Sequence, residues 1–131
     1  MKISFEKAND VLVAAFPEMK EIYDKEYEEY FDLEYSFYES EFQKFIMEQI
    51  RSKDTVQLKK IFDFVEDLFE NGDDGIVNLV GVAVVESTYF EEDFDDIKDL
   101  IFEYCGPKTK ASFDDSINWT PDDNEESQPA A

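Results

Sequence analysis

Leu58, Ile61, Phe62, Val65, Leu68 and Phe69 recur at intervals that bring side chains onto one face of an α-helix. Asp63, Glu66, Asp67 and Glu70 fall on the opposite face, which reads as solvated. Such an apolar stripe is stable only when another element covers it. The same period returns in Tyr35, Tyr38, Phe42, Phe45, Ile46 and Ile50, and again in Phe94, Ile97, Leu100, Ile101 and Tyr104. Repeated stripes in so short a chain predict helices packed on helices.

The intervening segments fit that expectation. Phe5, Ala8, Leu12, Ala15 and Phe16 are helically spaced, and Pro17 falls where the first turn of a second helix, running to about Tyr30, tolerates it. Phe31 to Glu34 reads as a connection. Ser52 to Asp54 contains capping residues, and Asn71, Gly72, Asp73, Asp74 and Gly75 form a turn whose glycines are expected to take left-handed conformations.

Ile76 to Tyr89 is apolar on nearly every side and rich in β-branched residues, so a strand competes there with a central buried helix. The helix is preferred, because no second strand-like run is present and a lone strand leaves its backbone groups unpaired. Gly106 and Pro107 stop the Phe94 helix, and Ala111 to Trp119 is expected to add a short helix or a packed arm anchored by Phe113, Ile117 and Trp119. The expected fold is an all-α, single-domain bundle of about five to six helices. It comprises an acidic helical domain over residues 1–119 and a disordered acidic tail over residues 120–131, whose composition buries nothing.

A hydrophobic content of 43%, with 13 Phe and 7 Tyr, is too high for a disordered chain. Against it stand 34 Asp and Glu and only 12 Lys and Arg, a net charge of −22. Such a surface repels nucleic-acid phosphates and anionic lipid headgroups, so neither direct nucleic-acid binding nor membrane binding is expected. A basic protein is the partner that this field attracts and steers. The excess is not confined to the tail, since Met1 to Phe113 holds 28 acidic against 12 basic residues. The N-terminus lacks a cationic start followed by a long apolar run, Ile76 to Val85 is too short to span a bilayer, and Cys105 is the only cysteine. A cytoplasmic location is therefore expected.

The residue kit for catalysis is poor. There is no His, the commonest general base at neutral pH. Cys105 stands near a helix C-terminus among acidic neighbours, a setting that disfavours thiolate. Asn71 to Gly75 and Asp93 to Asp99 both fail the ligand spacing of a calcium loop, and no glycine-rich phosphate cradle is present. No enzyme activity, cofactor or dedicated metal site is expected. Glu86 closes the apolar run Gly81 to Val85 and is expected to be at least partly buried, bonded to a Lys, a Tyr hydroxyl or backbone N–H groups.

Charge clusters where aromatic residues also cluster. Glu18 to Glu41 holds ten acidic and two basic residues together with Tyr23, Tyr27, Tyr30, Tyr35 and Tyr38. Asp63 to Glu103 holds fourteen acidic residues against Lys98 alone. Tyr rings supply apolar area while hydroxyls and carboxylates accept hydrogen bonds from Arg or Lys, which suits an interface with a basic protein. The partner-binding candidates are Tyr23, Glu26, Tyr27, Glu28, Glu29, Tyr30, Glu34 and Tyr35, with Glu86 and the acidic run Glu91, Glu92, Asp93, Asp95 and Asp96. A structural role competes at each: an aromatic stripe is commonly core, and acids before a helix favour its dipole.

Three stretches carry a family resemblance: Phe16, Pro17, Glu18, Met19 and Lys20 leading into Ile22 and Tyr23; Asn71 to Gly75 followed by Val77 to Glu86; and Cys105, Gly106, Pro107 and Lys108. Together they resemble small acidic helical immunity proteins of bacterial polymorphic toxin and contact-dependent growth inhibition systems, over most of Phe16 to Trp119. The resemblance implies an α-helical cytosolic protein that binds a cognate toxin domain and blocks its active site or substrate entry. The acidic charge points among toxins to a nuclease, whose own substrate groove must be positive. Glu86, Gly106 and Pro107 match the family's pattern, although nothing in that match makes them toxin contacts and Gly106 and Pro107 are better explained as a helix stop. The alternative is a DNA mimic that occupies the DNA site of a nuclease or repressor.

Overall fold

The computed structural model describes residues 2–25 and 33–118, which form seven continuous helices. A 3-10 turn at Phe5–Lys7 leads into α1 (Ala8–Ala15), and α2 (Pro17–Lys25) follows at once, with Pro17 in its first turn as its missing N–H allows. Helix α3 covers residues 34–52, α4 is Thr55–Asn71, α5 covers residues 74–89, α6 is Phe94–Tyr104 and α7 is Pro107–Asn118. The only β pairing among the described residues is an isolated bridge between Ile3 and Gly72. The fold is all-α, with more helices than the five to six expected because Pro107 opens a helix as well as closing the preceding one. The predicted tail, and the anchor Trp119, lie outside the described residues.

The three stripes become the core. Leu58, Ile61, Phe62, Val65 and Leu68 of α4 are buried against Phe37, Tyr38, Phe42, Phe45, Ile46, Met47 and Ile50 of α3. Phe16 joins them at the α1–α2 junction, its ring 5.7 Å from Phe42 and edge-on to Phe64 at 5.4 Å. Tyr38 is fully buried and its hydroxyl donates to the Ala8 carbonyl, which ties α1 to α3 and leaves no orphaned phenol in the core. Burial pushes the Tyr38 hydroxyl far above the usual phenol range, and Glu34 adds to the rise.

Residues 76–89 are helical, but the expected burial on every side is not found. Ile76, Leu79, Val80, Ala83, Val84, Val85 and Thr88 are buried, whereas Val77, Asn78, Val82 and Glu86 recur every four or five residues along an outward stripe. Glu86 is therefore exposed, not part of the core. The helix widens to π geometry over Gly81–Glu86, and α3 does the same over Tyr38–Phe42; the two wide segments pack against each other at the centre of the fold.

The turn between α4 and α5 also departs from expectation, since no described glycine takes a positive φ. Gly72 is extended, and what requires glycine there is space: a Cβ would collide with the Ile76 side chain and the Leu68 carbonyl. The N-terminal residues dock on this turn, with Ile3 N–H donating to the Asn71 carbonyl at 2.7 Å and Asp73 N–H donating to the Ile3 carbonyl at 2.8 Å. The left-handed residue is instead Lys53, at φ 57, closing α3 just before Asp54 caps α4 by accepting from Gln57 N–H.

Candidate functional site

The acidic candidates divide by how their charges are engaged. Tyr23 packs its ring 5.0 Å from that of Phe37, and half-buried Tyr35 lies 5.8 Å from Phe5 while its hydroxyl accepts from the Asn78 amide. Glu34 is half-buried in the first turn of α3. Glu26, Tyr27, Glu28, Glu29 and Tyr30 lie outside the described residues.

In the second cluster, Arg51 reaches from the last turn of α3 to Asp93 at 3.0 Å and Glu91 at 3.4 Å. Gln43, buried, donates from Nε2 to Glu91 at 3.0 Å. Arg51 hydrogen bonding and charge hold the Asp93 carboxyl below its usual range. Asp95 faces Lys98 at 3.8 Å, whereas Glu92 and Asp96 are exposed. Two acids of this run thus fasten the turn before α6 to α3, and the rest face solvent.

That fastened turn presents Phe90, which is 75% exposed at the end of α5. Beside it a groove of about 680 Å³ runs between α5 and α7, a volume typical of a ligand or side-chain pocket. Val77, Val82, Phe69, Tyr89 and Phe90 form its apolar walls, Gly81 and Ser112 meet along it, and Glu86 and Asp115 carry its charge. Val77 and Val82 are each 38% exposed, so with Phe90 they form an apolar strip open to solvent. Neither Glu86 nor Asp115 forms an ion pair with a cation among the described residues. Of these groove residues, only Glu86 was legible as a site residue in the sequence. Phe90 carried a signal, as a large aromatic residue bordering an acidic run; Asp115 and Ser112 carried none, because the register of α7 against α5 is tertiary.

Helix α7 is held against the bundle by a distant carboxylate. Glu66 on α4 accepts from the N–H groups of Lys108 at 3.0 Å and Thr109 at 2.9 Å and from the Thr109 hydroxyl at 2.8 Å, so it caps α7 across the fold. Burial pushes the Glu66 carboxyl up, but these donors outweigh it and hold it below the usual range. A Cβ on Gly106 would strike the Glu66 carboxylate, which explains that glycine better than a helix stop alone. Cys105, half-buried beside this junction, has its thiol pushed up to about 11, first by burial and then by Glu66, so it stays protonated at neutral pH.

These features define a small, strongly acidic helical domain with one face opened into an apolar, carboxylate-edged groove. The chain belongs to a family described as a domain of unknown function, DUF7674, which matches residues 9–120. No curated protein and no solved structure shows significant similarity to it. Among the described residues no helix is long and apolar enough to cross a membrane.

Proposed function

We propose that this chain is a non-enzymatic, cytoplasmic binding protein that neutralises a basic protein partner, specifically a cognate bacterial toxin domain such as a nuclease. The observation that carries the reading is the one-sided charge of the folded body. Every one of the 12 cations lies in the described residues. Several of them are already committed to the chain's own acids, as in the pairs Lys20–Asp24, Arg51–Asp93, Lys59–Asp63 and Lys110–Asp114. What remains, among the described residues, is a surface on which carboxylates far outnumber cations, complementary to the positive groove that a nuclease needs for its own substrate. The toxin itself rests on the resemblance to immunity proteins.

The test is co-expression and co-purification with candidate toxin domains. Protection of the host cell is expected, with a stoichiometric complex whose association rate falls steeply as salt rises and whose dissociation rate changes little. A folded chain that binds none of them and protects no cell would sink the proposal. Equal binding to unrelated DNA-binding proteins, without protection, would transfer the reading to a DNA mimic.

A further inference from the structure

A glycine in the middle of a helix needs a reason, because it costs about 0.8–1 kcal/mol against alanine. Gly81 has none in its backbone, which is right-handed at φ −61 and ψ −42. Nor is it crowded: a Cβ there would meet nothing nearer than Ser112 Oγ at 3.9 Å, an ordinary contact. What the missing side chain provides is room in the α5–α7 groove, of which Gly81 is part.

Around that room lies an exposed apolar strip of Val77, Val82 and Phe90 beside two carboxylates, Glu86 and Asp115, that pair with no described cation. An apolar side chain fits the strip, and a cation fits its edge. A second copy of the chain is a poor occupant, since each carries a net charge of −22. The chain's own residues 119–131 are no better, containing acids and no base.

We propose that the α5–α7 groove docks an amphipathic cationic segment of a protein partner. One of its apolar side chains enters over Gly81 between Val82 and Phe90, and flanking Lys or Arg residues pair with Glu86 and Asp115. This rests on the reading of a basic protein partner and assigns the face that it meets. Docking there would bury Phe90, the aromatic side chain most exposed among the described residues.

The probe is a synthetic helical peptide of Leu and Lys at amphipathic spacing, compared with a Ser and Lys peptide of equal charge, each titrated into the isotopically labelled full chain at about 0.15 M salt. The Leu peptide should bind at least about tenfold more tightly, as burial of one large apolar side chain provides, and should shift the amide signals of Gly81, Val82, Phe90 and Ser112. Gly81→Met, which fills the groove, and Phe90→Ser, which removes its exposed wall without touching the core, should each abolish that preference while leaving the weak binding of the Ser peptide. Equal affinities for the two peptides, or shifts confined to α2 and the start of α3, would overturn the inference. So would a sedimenting dimer that Phe90→Ser dissociates, since the groove would then belong to a second copy. The two proposals fail separately. A toxin domain bound with unchanged affinity by both folded variants removes the groove alone, whereas groove-specific peptide binding without protection from any toxin removes the neutralising function alone.

Discussion

Lys53 and Gly81 invert the usual allocation of residues to backbone conformations. Lys53 holds φ 57, a region that a Cβ makes costly, while Gly81 holds an ordinary helical conformation with space around it. Both Lys53→Gly and Gly81→Ala should therefore stabilise the fold, each by about 0.5–1 kcal/mol in urea unfolding. Gly72→Ala should do the reverse, costing about 1–3 kcal/mol, because the buried Cβ meets the Ile76 side chain and the Leu68 carbonyl. The sequence marked Gly72 correctly as special, but for the wrong cause: glycine in a turn usually signals a positive φ, and here it signals close approach. Glu86 was misjudged for a related reason. Its apolar neighbours Ala83, Val84 and Val85 are buried, yet helical geometry turns residue 86 outward with Val82.

Among the elements, α7 depends on a contact far away in the chain. Glu66 supplies the acceptors that the first N–H groups of α7 lack within their own helix, while buried Thr109 and Phe113 fasten its inner face. Glu66→Gln should loosen this end by about 1 kcal/mol, since the site is partly solvated and one hydrogen-bond acceptor is exchanged for a donor. Acid should act in the same direction. A carboxyl held below its usual range contributes stability that is complete above the unfolded-state value and is lost as pH falls through the lower folded value. Protection of the amides of residues 108–113, taken relative to the intrinsic exchange rate at each pH, should therefore fall on acidification through and below the ordinary glutamate range, and that fall should vanish in Glu66→Gln. Protection unaffected by pH in the parent protein would show that Glu66 does not hold α7. From sequence, Glu66 belonged to the solvated face of α4, and only the packing of α7 across that face gave it a partner.

For the whole molecule, charge opposes what the core provides. The stripes of α3 and α4 are buried almost completely, while 34 acidic residues repel one another around them. Salt should therefore stabilise the chain, because screening weakens the net repulsion more than it weakens the few exposed ion pairs. A melting temperature that rises by several degrees, on the order of 1 kcal/mol in stability, is expected between low and near-molar salt. A flat or falling melting temperature would mean that local ion pairs such as Arg51 with Glu91 and Asp93 outweigh the repulsion. The same field restricts partners, so the salt that steadies the isolated protein should slow its association with a basic one.

The sequence by itself determined the helical class, the cores of α3, α4 and α6 and the sign of the surface charge, because period and composition are local properties that packing does not reverse. The tertiary structure decided which carboxylates are spent inside the molecule, as Glu66, Glu91 and Asp93 are, and which remain at the groove, as Glu86 and Asp115 do. That division depends on which distant helix end or arginine comes within hydrogen-bond reach, and the spacing of residues along one helix contains no record of it.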